Sequence, residues 1–240
     1  MHIGLLQCDD VNPVLIERHG NYPAMFETLL KRVDPSIRLS VWRCLEGELP
    51  DDVAACDGWL TTGSQFGVND GLDWVEGLCG FVRQVHAARR PLVGICFGHQ
   101  LIAKALGGRV EQHARGWGVG LSFNRVREQR PWMQPPQPGL DLVVSHQDQV
   151  AELPEGAQVL ADSSFCAYYL LEVGSCLGVQ GHPEFSPGYS RDLMQLRRER
   201  IGEHRVREGE ASLSVEPDSV VMTHWLLAFM HYWLDRTSNA

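Results

Sequence analysis

Apolar residues in the first half of the chain fall into short continuous runs separated by stretches with helical spacing. The runs at 2–7, 58–61 and 91–95 and the alternating segment 37–43 read as strands, the run at 91–95 buried as in a parallel sheet. Residues 22–33 read as a helix, with Asn21 as its cap and Pro23 in its first turn. A second helix is expected over 72–88. A third, at 100–106, stops at Gly107-Gly108. This alternation predicts a parallel, doubly wound α/β sheet.

The second half has a different rhythm. Strand candidates at 118–127, 141–145, 157–161, 166–173 and 176–180 follow one another with little helix between them. They predict an antiparallel section that extends the sheet. The proline-rich piece 131–139 reads as a loop. Helices are expected at 187–203 and 218–235, with a polar loop at 208–217 between them. Met222, Trp225, Phe229 and Trp233 recur at helical spacing and predict a core-facing stripe. No repeat or long linker interrupts the pattern, and one domain over 1–240 is expected.

Composition narrows the function classes. The chain has 240 residues, 44% hydrophobic and 21% charged, and a formal net charge of −9. That charge, without a basic cluster, argues against nucleic acid or an anionic membrane as the main partner. The nearest basic run, Arg197-Arg198-Glu199-Arg200, is broken by acid and reads as a solvated helix face. The first residues carry no basic start, long apolar core or cleavage site, so no secretory signal is read. The apolar stretch 222–234 is too short to span a bilayer. Seven cysteines, odd in number and without metal-type spacing, are expected to be reduced, as in a cytoplasmic protein.

One cysteine stands apart. Cys96 ends the run 91–95, lies between Gly94 and Gly98, and precedes a helix. A sharp strand-to-helix turn there would expose the sulfur at the C-terminal edge of the sheet, beside the positive end of a helix. A thiol nucleophile needs a base, and the base needs an orienting group. Gly181-His182-Pro183-Glu184 supplies both: an apolar strand ends in glycine and then presents a histidine and a carboxylate two residues apart. In an extended segment the two would share a face. The N–H groups of Gly63, at a strand end, and of Phe97, beside the cysteine, are candidate oxyanion donors. The pairs His146/Asp148 and His182/Glu184 lack a third ligand at convincing spacing, so no metal is expected. Trp117, in Arg115-Gly116-Trp117-Gly118, reads as packing at a strand start.

The set Gly94-Ile95-Cys96-Phe97-Gly98-His99-Gln100 with Gly181-His182-Pro183-Glu184 resembles the class I (triad) glutamine amidotransferase family. The Thr62-Gly63-Ser64 loop, Gly107-Gly108 and Val144-Ser145-His146-Gln147-Asp148 follow in family order. The likeness is to free-standing members similar to the amidotransferase part of GMP synthase. It implies a flavodoxin-like three-layer α/β fold and a Cys96-His182-Glu184 triad. It also implies oxyanion donors at Gly63 and Phe97 and substrate contacts from Gln100, His146 and Gln147. No cofactor is implied. Two features depart from the pattern: Thr61-Thr62-Gly63-Ser64 stands for the usual Ser-Gly-Gly-Pro loop, and Gly181 stands where phenylalanine is common.

The expected reaction is hydrolysis of the side-chain amide of L-glutamine through a cysteine thioester, with ammonia passed to a separate synthetase subunit. The alternative is a partner-independent γ-glutamyl hydrolase or peptidase. A catalytically silent binding protein on the same fold is the reading from another class, and the intact Cys-His-Glu set disfavours it.

Overall fold

The computed structural model describes residues 1–238. In chain order its first half runs β1 (His2–Gln7), α1 (Pro13–His19), α2 (Tyr22–Val33), β2 (Arg38–Arg43), β3 (Gly58–Thr61), α3 (Asp73–Ala87), β4 (Leu92–Ile95) and α4 (Phe97–Ala105). There follow β5 (Arg109–Gln112), β6 (Gly118–Ser122), β7 (Arg125–Val126), β8 (Leu142–His146), β9 (Asp148–Glu152), β10 (Gln158–Asp162), β11 (Leu170–Val173) and β12 (Cys176–Val179). The helices α5 (Pro187–Leu196), α6 (Arg198–Ile201), α7 (Glu203–Ser212) and α8 (Ser219–Ser238) complete it.

Eight strands form one sheet in the order β2-β1-β3-β4-β12-β11-β10-β7. From β2 to β12 the pairing is parallel. From β12 to β7 it is antiparallel, as expected for the second half. Successive strand residues point to opposite faces, and the two faces carry separate cores. Ile3, Leu5, Leu60, Val93, Ile95 and Val179 pack with Phe26 and Leu30 of α2 and with Trp225 and Phe229 of α8. Leu6, Trp59 and Leu92 pack on the other side with Val75 and Val82 of α3 and with Leu101 and Ile102 of α4. Each such buried side chain contributes about 1.5–3 kcal/mol. The predicted stripe on α8 faces the core, with Met222, Trp225 and Phe229 fully buried and Trp233 partly buried against it. No described helix is long and apolar enough to cross a membrane.

Several elements differ from the sequence expectation. The run 118–127 is two strands: β6 pairs with β8 outside the main sheet, and β7 joins β10. Asn124 turns the chain between them, its side-chain amide donating to the Ser122 and Leu140 carbonyls at 2.8 Å each. The ribbon β5/β9 has almost no apolar signal, because within it only Val110, Gln149 and Val150 are buried. The strand expected from 166 begins only at Leu170. The helix expected over 187–203 ends at Leu196, and Gly202, at φ 92°, separates α6 from α7. Helix α7 runs into the segment 208–217 expected as a polar loop; Val206 is its buried hydrophobe, packed in a third core with Val119 and Met194. Helix α1 buries Leu15 alone, too little to register as a pattern.

The C-terminal ends of β3, β4 and β12 lie side by side, and α4 starts directly above them. Helix and sheet approach so closely that a Cβ on Gly98 would collide with the Thr61 hydroxyl. Thr61 has little freedom to retreat, since its Oγ1 accepts the Ile95 N–H at 3.2 Å. Gly98→Ala should destabilise the protein by about 1–3 kcal/mol through overpacking, read as a lower denaturant midpoint. A midpoint equal to that of the parent would show that α4 is free to lift off β3.

Candidate active site

Cys96 occupies the one-residue turn between β4 and α4 with φ 51° and ψ −94°. A side chain in this region carries about 1–3 kcal/mol of strain, which the surroundings must hold in place. They do so at both peptide groups. The Cys96 N–H donates to the Val179 carbonyl at 2.8 Å, and the Cys96 carbonyl accepts from the Gln100 N–H at 3.1 Å. The helix thus begins at Phe97, earlier than the expected 100, with its first-turn N–H groups beside the sulfur. All seven cysteines are free and buried. Burial pushes the other six thiols above their ordinary range, Cys166 and Cys176 to about 12.

His182 follows β12 and is fixed from three directions. Its backbone N–H donates to the Val143 carbonyl at 2.8 Å. Its ring stacks on Phe185, with centroids 3.9 Å apart and planes within 6°. Its Nδ1 meets Glu184 Oε1 at 2.7 Å, and the side chains are 4% and 0% exposed. Residues 182–185 form a turn, with the Phe185 N–H donating to the His182 carbonyl at 3.4 Å. The carboxylate therefore reaches the imidazole around a turn, and the extended alternation expected from the sequence is not how the two meet.

Burial opposes a charge on this imidazole, but the Glu184 carboxylate and then the Cys96 sulfur outweigh it and hold His182 protonated up to about pH 10. With Nδ1 engaged by Glu184, Nε2 is the nitrogen left for Cys96. The second Glu184 oxygen is buried without a hydrogen-bond partner among the described residues. Compensation of that carboxylate falls to the imidazolium.

The Gly63 loop lies over the same ring, where a Cβ on Gly63 would sit 2.7 Å from His182 Cε1. Thr62, at one of the altered positions of this loop, anchors it. Its hydroxyl accepts the Cys8 N–H at 2.9 Å and donates to the Gly63 carbonyl at 2.8 Å. Phe97 is the first residue of α4, so its N–H has no acceptor within the helix. The other altered position has a steric cause. A side chain at Gly181 would strike the Tyr169 hydroxyl and sit 2.8 Å from Leu142 Cβ.

Cys96 opens into a cleft of about 230 Å³, which Phe97, Gln100, His146 and Gln147 also line. Gln100 donates its side-chain amide to the Asp148 carbonyl at 2.8 Å and to Gln180 Oε1 at 3.3 Å. Gln180 donates in turn to the Cys96 sulfur at 3.4 Å. Gln180 was not singled out from the sequence; its only signal is a polar residue, fully buried, at the end of an apolar strand. His146 Nδ1 meets the main-chain oxygen of Asp148 at 3.1 Å rather than its carboxylate. Burial pushes that imidazole down to about 3, so it is neutral. Among the described residues no three His, Cys, Asp or Glu side chains are grouped to hold a metal ion. Trp117, expected as packing, lines the cleft with Arg197 and Arg200, which were expected on a solvated face.

A family model described as "Glutamine amidotransferase class-I" matches residues 61–197, a span that includes Cys96, His182 and Glu184. The chain belongs to the class I glutamine amidotransferase family. It is 31% identical over 184 residues to "Gamma-glutamyl peptidase 4" of Arabidopsis thaliana, covering 73% of this chain and 71% of that protein. Gamma-glutamyl peptidases 3 and 5 of the same plant are matched over 62% and 61% of their own length. A GMP synthase of Staphylococcus saprophyticus is 38% identical over 117 residues, 44% of this chain but 21% of the synthase. In three dimensions the chain superposes on a glutamine amidotransferase from Thermotoga maritima with a TM-score of 0.74 at 18% identity, over 100% of both chains. The expected α/β amidotransferase fold is the observed one.

Because its value lies above the ordinary 6.5, the His182–Glu184 pair stabilises the fold fully below that pH. The contribution fades as the pH rises toward 10. An NMR titration of the His182 ring should give a midpoint near 10, and Glu184→Gln should lower it. A midpoint near 6.5 in the parent protein would contradict the ion-pair description.

Proposed function

We propose that this protein is a thiol amidohydrolase that cleaves γ-glutamyl amide bonds through Cys96. The observation that carries the reading is the strained Cys96 turn opening into a cleft, beside an imidazole fixed by Glu184 at 2.7 Å and stacked on Phe185. The Cys96 thiolate attacks the γ-carbonyl carbon, and the carbonyl oxygen takes up the negative charge facing the N–H groups of Gly63 and Phe97. As the C–N bond breaks, the proton on His182 Nε2 passes to the departing nitrogen, which leaves as ammonia or an amine. A γ-glutamyl thioester remains on Cys96. Water then attacks that carbonyl while His182 takes one of its protons. The C–S bond breaks, glutamate departs, and thiolate and imidazolium are restored. Glu184 holds the imidazole orientation throughout. Gln180 is a positioning residue that orients the sulfur through its amide.

Of the two reactions expected from the sequence, hydrolysis of small γ-glutamyl compounds without a partner has the broader support. Relatives named γ-glutamyl peptidases align over most of this chain, whereas the GMP synthase match covers a fifth of that enzyme's length. Ammonia delivery to a separate synthetase is the second reading, favoured by the 38% identity to that synthase.

Glutamate release by the purified protein, assayed with glutamine and a panel of γ-glutamyl peptides and amines, separates the two. Turnover of the panel without any added protein is expected. Cys96→Ala should remove it, and Glu184→Gln should lower kcat by about 10²–10⁴-fold. Undiminished release by Cys96→Ala sinks the mechanism.

A further inference from the structure

We propose that Arg197 and Arg200 form a carboxylate-binding subsite for the leaving portion of the substrate, so that the preferred substrates are γ-glutamyl amino acids or peptides. The inference rests on the hydrolase reading above and adds the chemistry of the leaving group.

The cleft onto which Cys96 opens is lined by side chains of both charges. Asp70 and Asp148 line it near Gly67, and Arg197 and Arg200 line it together with Trp117 and Ser145. Arg197, Arg200 and Gln65 line a second groove of about 720 Å³ that runs on toward Asn12, Ile16 and Leu196; its two aspartates are engaged, Asp10 by Arg43 and Asp9 by Gln65. The arginines therefore stand at the junction, where the cleft continues across the surface. A γ-glutamyl group is of fixed size and carries an α-ammonium and an α-carboxylate, of which the ammonium suits the part of the cleft lined by Asp70 and Asp148. The portion beyond the scissile bond varies in size and suits the side on which the cleft continues into that groove. A guanidinium pair on that side selects a leaving group with a carboxylate.

Both arginines are held in place. Arg197 Nη1 donates to Ser145 Oγ at 3.3 Å, and the Arg200 guanidinium lies 5.4 Å from the Trp117 ring centroid. Neither forms an ion pair with a carboxylate among the described residues, although acidic residues outnumber basic ones 30 to 21. An unpaired guanidinium lining a cleft is available for an anion. The family match ends at residue 197, so Arg200 lies outside the segment that defines the family. The subsite is built from the α5–α6 junction and α6, with Trp117 just before β6 and Ser145 of β8 holding the two arginines.

The test compares γ-glutamylglycine with γ-glutamylglycinamide, which differ only in that carboxylate. Binding is measured calorimetrically on Cys96→Ala, so turnover is not required. Turnover of both compounds by the parent protein tests the hydrolase reading separately. Cys96→Ala should bind the glycine compound at least about tenfold more tightly, and less so at high salt. Adding Arg197→Gln and Arg200→Gln should bring the two affinities to within about twofold of each other. Arg200→Glu should reverse the order for a γ-glutamyl amine bearing an ammonium. Each variant is checked for an unchanged Tm, and Arg200→Lys, which retains the charge, should keep part of the preference. Equal affinities in the parent pair of measurements, or a preference that survives the double substitution, would overturn the subsite. An equal loss for both compounds would place the arginines at the glutamyl end and overturn it as well.

Discussion

Parallel pairing of β4 with β12, closed by the Cys96 N–H donating to the Val179 carbonyl at 2.8 Å, is the constraint on which the rest of the site depends. The ladder aligns Ile95 with Val179, so the residues that follow each strand emerge together at one edge of the sheet. On one strand that edge carries Cys96 and the start of α4. On the other it carries Gln180 and the turn with His182 and Glu184. A parallel neighbour on the far side of β4, β3, brings the Gly63 loop to the same place. Three loops distant in sequence share a site because three strands share a register.

That register would be of little use without close approach between layers. Gly98 sits against Thr61, and Gly63 lies against His182, so the sheet, α4 and the His182 turn are within contact distance. The same closeness holds Cys96 in a conformation it would leave if free. The electrostatics follow from it: Glu184 and His182 are buried together, and neither has bulk water to turn to for compensation. The ion pair and the strained turn are thus both consequences of packing dictated by the order β3-β4-β12.

Much of this was legible in the sequence, and the physical reason is abruptness. Cys96, Gly63 and His182 each stand where a short apolar run stops, with glycine at the site or within two residues of it, a pattern that strands at the C-terminal edge of a sheet produce. What was not legible depends on contacts between distant segments. Gln180 looks like any polar residue at a strand end; only the fold directs its amide at the sulfur. Trp117 and Arg200 are 83 positions apart and read as packing and as a solvated face, yet they meet at the mouth of the cleft. The ribbon β5/β9 and the helix α7 bury so few side chains that hydrophobic periodicity had nothing to register. The turn at 182–185 likewise shows that spacing of two identified the partners without fixing how they meet.

The central claim is that Cys96 carries the γ-glutamyl group as a thioester between two proton transfers by His182. Rapid acid quench during turnover of a γ-glutamyl anilide, followed by peptide mapping in a mass spectrometer, tests it directly. The account predicts a γ-glutamyl adduct on the Cys96 peptide that hydroxylamine removes and that Cys96→Ala lacks. Continued product formation with that peptide unmodified at every quench time, or an adduct on a different residue, would contradict it.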